Sequence, residues 1–200
     1  MPANKPLLII VTGRPGSGKT TLAHSLAKEL RCPVLSRDEF KEGLVNTFNS
    51  SHKDLGPDVN LTIYNVFFQA AELLLKNNIT LIIEAAFQHK NWAQRLEPLL
   101  PAVRARVVVC SIDPHLARDR YIQRGLSDTN RERFHGDFGG QAAQGEWMAA
   151  TQAMQLPIAA YENLRLPVPT LEVDTSNDYQ PEIKDIISFI MQAKGGTDNA

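Results

Sequence analysis

GRPGSGKT, Gly13 to Thr20, is the stretch that decides the fold. It fits GxxxxGK[ST] at every fixed position, follows the apolar run Leu7 to Thr12 and opens a helical pattern from Lys19 to Leu30. Glycines at 13, 16 and 18 let the backbone curl so that successive N–H groups point inward at an anion, and the following helix offers its positive end to the same charge. The phosphate contacts predicted from this are Gly13, Arg14, Pro15, Gly16, Ser17, Gly18, Lys19, Thr20 and the adjoining Thr21. Lys19 is placed to reach the β and γ phosphates of a nucleoside triphosphate, and the Thr20 hydroxyl to ligate Mg²⁺. The competing reading is a plain glycine turn with a solvated lysine.

Outward from the motif, the run at Leu7 reads as a strand buried on both faces. Similar runs recur at Leu81 to Glu84, Arg106 to Ile112 and Val168 to Val173, with a short fifth one at Pro33 to Ser36. Helical patterns lie between and after them: Lys19 to Leu30, Asp38 to Thr47, Val59 to Lys76, Asn91 to Leu100, His115 to Arg124, Ala142 to Ala153 and Glu182 to Gln192. Such alternation predicts an α/β three-layer fold with a mostly parallel five-stranded sheet, and with the P-loop motif the chain resembles the nucleoside monophosphate kinases in fold. One domain over residues 1–200 is expected, with a lid at about 114–145 and a flexible tail at about 195–200. The polar, Gly-, Arg- and His-rich stretch Ser127 to Gly145 is the reason for placing a lid there.

Composition narrows the function. A net charge of −1 argues against general nucleic-acid binding, and no stretch nears the roughly 20 apolar residues of a membrane span. The N-terminal apolar run is too short for a signal peptide and feeds directly into the glycine motif, which predicts a cytoplasmic protein. Cys32 and Cys110 have no companions at metal spacing and read as core thiols. His24, His52, His89 and His115 show no partner at meaningful spacing, and Trp92 and Trp147 read as packing residues.

Two carboxylates stand where chemistry would need them. Glu84 ends the apolar strand of LIIEAAF, the place of a Mg²⁺-holding acid in P-loop proteins, and would otherwise be half buried and unpaired. Asp38 in SRDEF follows the Pro33 to Ser36 strand, at the end of the sheet where open α/β folds bind ligands.

Taken together, GRPGSGKTT, LSRDEFK, LIIEAAF, DPHLARDRYIQRG and LEVDTS, spread over almost the whole chain, resemble the small P-loop kinases. That family includes polynucleotide 5′-hydroxyl kinase, chloramphenicol phosphotransferase, gluconate kinase and zeta-toxin-like kinases. The resemblance implies ATP and Mg²⁺ as cofactors and Asp38 as the base that takes the acceptor's proton. A helix N-cap is the other role open to Asp38, and Glu84 could share the base role. The resemblance also implies that Arg120 and Arg124, four apart on one helical face, close over the triphosphate. An exposed helix paired with Asp119 is the alternative, and Arg118 ranks below both. Arg37 and Lys41 flank Asp38 and could hold an acidic or phosphorylated acceptor, or simply form a solvated face. Lys41 departs from the arginine common in polynucleotide kinases. Arg131, Arg133, His135 and Asp137 are candidate acceptor contacts in the lid. Asp174 to Ser176, with Asp174 and Thr175 foremost, would border the base, although turn residues fit there anyway.

The expected function is transfer of the γ-phosphoryl group of MgATP to a hydroxyl of a small-molecule or nucleotide-like acceptor. The alternatives are an ATP-binding regulatory module without a soluble acceptor, and a toxin-like kinase of a nucleotide sugar.

Overall fold

A computed structural model describes residues 5–128, 131–135 and 161–192. Five strands form one wholly parallel sheet: β1 (Leu7–Gly13), β2 (Val34–Ser36), β3 (Leu81–Glu84), β4 (Arg104–Ser111) and β5 (Thr170–Asp174), in the spatial order β2-β3-β1-β4-β5. The helices are α1 (Lys19–Leu30), α2 (Arg37–Phe48), α3 (Val59–Lys76), α4 (His89–Leu96), α5 (Pro114–Ser127), α6 (Arg131–His135) and α7 (Ile183–Met191). The α/β architecture expected from the alternating pattern is what forms. The helix expected at Ala142 to Ala153, the tail and the rest of the lid, with Asp137 and Trp147, lie outside the described residues.

Side chains of β1 alternate between two apolar layers, as the pleat requires. Leu8 and Ile10 pack with Phe67, Phe68, Phe87 and Leu96 on one face, while Leu7, Ile9 and Val11 pack with Leu22, Leu26, Ile186 and Ile190 on the other. All of β1 is buried, which is why its sequence is continuously rather than alternately apolar. Trp92 is a packing residue as expected, with its ring 4.9 Å from Phe87 and 5.1 Å from Tyr64.

Among the boundaries that differ from expectation, two have a clear physical cause. The helix expected from Asn91 to Leu100 ends at Leu96, and Glu97–Ala102 winds as a 3₁₀ helix containing Pro98 and Pro101, neither of which can donate an amide. Strand β4 starts at Arg104, two residues early, because its Arg104 N–H is taken up by the Pro6 carbonyl.

Arg106 is the unusual core residue, 5% exposed on an apolar strand. Its guanidinium donates to the carbonyls of Ala105 at 3.0 Å, Phe189 at 3.4 Å and Gln192 at 2.6 Å, placing a positive charge at the carboxyl end of α7. Burial pushes its pKa below the usual arginine value. Arg106→Met should therefore cost about 2–3 kcal/mol, through carbonyls left without donors. Thermal unfolding should show a Tm lower by roughly 5–10 °C. An unchanged Tm would mean these bonds do not hold α7.

Cys110 fills the second apolar layer, and burial pushes its thiol up to about 12, with a smaller contribution from the charge of Glu84. At pH 8 the native protein should leave Cys110 unalkylated by iodoacetamide while the unfolded chain reacts fully, as mass spectrometry would show. Among the described residues, no helix is long and apolar enough to cross a membrane.

Candidate active site

Register brings the chemistry to one end of the sheet. Glu84 lies opposite Val11 on β1 and Ser36 on β2, and Gly13 lies opposite Cys110 on β4. The loop from Gly13 into α1 therefore sits over the carboxyl edge, where the chain leaves β1 between neighbours reached in opposite directions.

Gly16 and Gly18 hold φ of 82° and 77°, a left-handed conformation that curls the loop. Gly18 is the N-cap of α1 and no side chain caps that helix, so its first-turn amides keep their donors for an anion. A Cβ on Gly16 would lie 2.0 Å from the Ala117 carbonyl oxygen, because the first turn of α5 rests directly on the loop. Gly16→Ala should destabilise the fold by ~3 kcal/mol and weaken MgATP binding at least tenfold by displacing either the loop or α5. Normal stability and affinity together would show that the contact yields easily.

Glu84 is 1% exposed and fully engaged. Its Oε2 accepts from the Ser36 hydroxyl at 2.7 Å and the Thr20 hydroxyl at 3.2 Å, and its Oε1 lies 3.6 Å from Lys19 Nζ. The fear of an unpaired carboxylate is thus removed by Lys19 and Thr20, the two groups that a nucleotide and its metal would claim. Ser36 had no role in the sequence reading. A serine at a strand end, 48 residues from its partner, gives no signal until sheet register is known.

Helix α2 begins at Arg37, one residue earlier than expected, so Ser36 and not Asp38 occupies the N-cap position. The capping role considered for Asp38 is therefore overturned: the carboxylate sits inside the first turn, and no side chain caps the helix. Asp38 Oδ1 accepts from Arg37 at 3.3 Å, and the second arm of Arg37 donates to Asn60 at 3.0 Å. Lys41 is 6% exposed, which excludes the solvated-face reading for it.

Two cavities flank the loop. One, of about 230 Å³, is lined by Lys19, Thr20, Asp38, Lys41, Arg124 and Arg131, with Pro15, Gly16 and Arg37 at its rim and Trp92 in its wall. The other, of about 430 Å³, is lined by Gly18, Thr21, Arg120, Thr175 and the turn to Tyr179. Arg120 and Arg124 thus serve different cavities although they lie one turn apart. Arg120 donates to the Thr175 carbonyl at 2.8 Å and to that of Ser176, locking the loop after β5. Thr175 in turn places its hydroxyl 2.7 Å from the Ser17 carbonyl and 3.1 Å from that of Ser111. The Asp174 carboxyl lies below the usual carboxylate range because the Ser176 hydroxyl and amide bond to it.

Arg118 lies beside Asp119 at 3.3 Å on the exposed side of α5. Asp113 caps that helix, accepting from the amides of His115 at 2.9 Å and Leu116 at 3.1 Å. These bonds, Leu116 first, hold its pKa below the ordinary value. The cap's contribution is complete above that ordinary value, near 3.9, and is lost as pH falls through the lower folded one.

Arg133 donates to the Ser50 carbonyl at 3.0 Å and lies 3.5 Å from Asn49 Oδ1, tying α6 to the end of α2. The Arg131 guanidinium stacks 5.0 Å from the Tyr121 ring centroid. The side chain of His135 is outside what is described. His24, expected to be without a partner, instead lies 2.6 Å from Glu39 Oε1, a side-chain contact from α1 to α2. Tyr161 was also missed. Its hydroxyl lies 3.4 Å from Thr12 Oγ1, Arg14 sits 5.7 Å over its ring, and burial pushes its pKa up. Among the described residues, no three His, Cys, Asp or Glu side chains converge as an all-protein metal site.

A family model described as an AAA domain matches residues 8–155. No curated protein matches the chain. A presumed kinase from Chloroflexus aurantiacus J-10-fl is 27% identical, with a TM-score of 0.70 over 94% of this chain and 97% of its own. The APS kinase of Mycobacterium tuberculosis, solved with AMPPNP and APS, is 16% identical, with a TM-score of 0.61 over 96% of this chain and 100% of its own. A gluconokinase from Sinorhizobium meliloti 1021 is 16% identical, with a TM-score of 0.52 over 94% and 93%. The last two likenesses bear on fold alone. With the glycine cradle on a five-stranded parallel sheet and a family match over most of its length, the chain belongs to the AAA domain family as a P-loop kinase-like member.

Proposed function

We propose that this protein is a phosphotransferase that moves the γ-phosphoryl group of MgATP onto a hydroxyl of a small-molecule or nucleotide-like acceptor. The observation that carries this reading is the meeting of Lys19, Thr20, Asp38 and Arg124 around one cavity, with Glu84 holding the first two from beneath. The continuous sheet and its two apolar layers support a single domain; one domain over 1–200 with a lid at about 114–145 is part of the proposal.

The cradle amides and Lys19 bind the phosphate chain, while the Thr175 loop, held by Arg120, borders the cavity left for the base. Thr20 and Glu84 present a hydroxyl and a carboxylate 3.2 Å apart, a donor set that suits Mg²⁺ completed by water and phosphate oxygens. Bound there, Mg²⁺ supplies neutralisation of charge on the β and γ oxygens. Asp38 accepts the proton of the acceptor hydroxyl as its oxygen bonds to phosphorus and the bond to the ADP oxygen breaks. Arg37 keeps that carboxylate oriented. Arg124 faces the same cavity from α5, where it stabilises charge on the group in transfer.

Titration of MgAMPPNP into the full chain tests the nucleotide half of this account. Wild type should bind, and Lys19→Ala should bind at least tenfold more weakly. Equal affinities would remove the cradle from the mechanism.

A further inference from the structure

A third cavity, of about 610 Å³, opens at the amino edge of the sheet, the end away from the cradle. Staggered strands and a proline make room for it. β4 begins at Arg104 and β5 only at Thr170, opposite Val107, so residues 104–106 overhang their neighbour. The ladder between the two strands cannot run further: the Val107 amide donates to the Pro169 carbonyl, but Pro169 has no amide to return to Ala105. The Ala105 carbonyl accepts from Arg106 Nη1 instead, at 3.0 Å. Around this overhang the walls are apolar: Leu100, Val103, Ala105 and Val168, with the rings of Pro101 and Pro167.

The charged side chains that line the cavity among the described residues are all cations, Lys5, Arg104 and Arg106. Two of them are already engaged. Lys5 Nζ donates to the Pro101 carbonyl at 2.6 Å, and Arg106 spends its nitrogens on three carbonyls. Arg104 differs, because its Nε is buried and has no hydrogen-bond partner among the described residues. It also stands two residues from Arg106, on the same side of β4, and its charge adds to burial in lowering the Arg106 pKa. A buried idle donor and a like charge beside it are both costly, and one anion relieves both.

We infer that this cavity binds a small organic carboxylate with an apolar body, its head on Arg104 and its tail against Leu100, Val103 and Val168. Size and chemistry choose the ligand class. A mostly apolar cavity of about 300–1,000 Å³ with a few placed polar groups is the usual form of a small-molecule site. One guanidinium edge presents two parallel N–H groups, which match the two oxygens of a carboxylate, whereas a phosphate would need more donors than Arg104 alone offers. The site is separate from the nucleotide's. Cys110, which lies opposite Gly13 at the cradle, is ~20 Å along β4 from Arg104.

Octanoate, titrated calorimetrically into the full chain with and without saturating MgAMPPNP, tests this. Wild type should bind it equally in both cases, and at least tenfold more tightly than octanamide, which has the same body without the charge. Affinity should rise about two- to fourfold for each methylene from butanoate to octanoate. Arg104→Met should bring octanoate down to the affinity of octanamide with a urea midpoint no lower than that of wild type, and Arg104→Lys, which keeps the charge without the fork, should fall between. Val168→Trp, which fills the cavity, should remove binding of both ligands. No binding of octanoate, equal binding of octanoate and octanamide, unchanged affinity in Arg104→Met, or displacement of octanoate by MgAMPPNP would each overturn the inference and leave the kinase reading untouched.

Discussion

Glu84→Ala should lower the stability of the protein by about 3–5 kcal/mol, because it leaves the ammonium of Lys19 in the interior without its carboxylate. Lys19 and Glu84 side chains are only 10% and 2% exposed, so water cannot replace the lost partner without opening the fold. Three donors lose their acceptor together, since the Ser36 and Thr20 hydroxyls bond to the same carboxylate. Urea unfolding at neutral pH measures the loss. Glu84→Gln, which keeps shape and can still accept from Ser36, should fall between wild type and alanine. Transfer activity should vanish in both, because the carboxylate proposed to face Mg²⁺ is gone. Unchanged urea midpoints would mean that Lys19 is solvated in solution and that the buried pair contributes nothing.

Asp38→Asn should reduce the rate of transfer by about 10²–10⁴ while leaving MgAMPPNP affinity within about threefold. The amide preserves size and its place in the first turn of α2, but it cannot take a proton from the acceptor. Neither the N-cap of α2 nor any packing is lost, since the cap position belongs to Ser36 and Asp38 faces the cavity. The expected signature is therefore a fall in kcat with nucleotide binding intact. Should Asp38→Asn turn over normally, Asp38 is not the base.

The strands were readable because a parallel sheet buries both faces, so continuous apolar runs such as Leu7 to Val11 announce themselves without periodicity. The cradle was readable because its glycines and lysine fall within eight consecutive residues, although Ala117 and Thr175, far along the chain, also brace it. What escaped depends on distance along the chain. Ser36 meets Glu84 only through the register of β2 on β3, and His24 meets Glu39 only once α1 and α2 are placed in the fold. Leu164 and Leu166, in the segment before β5, enter the first apolar layer with no periodic pattern to mark them. Helical spacing placed Arg120 and Arg124 on one face, but it could not say that the loop after β5 would capture the first and leave the second to the other cavity. Periodicity tells which face is apolar, and says nothing of which element covers it.

The most direct test of the central claim is ADP release from MgATP by the full chain, alone and with a panel of hydroxyl acceptors spanning sugars, sugar phosphates, nucleotides and 5′-hydroxyl oligonucleotides. The account predicts slow release without acceptor and a rise of at least 10²-fold with one acceptor class, accompanied by one phosphorylated product per ADP. Binding of MgATP with the same slow, acceptor-independent hydrolysis across the whole panel would contradict it, and would make the protein a nucleotide-binding module rather than a kinase.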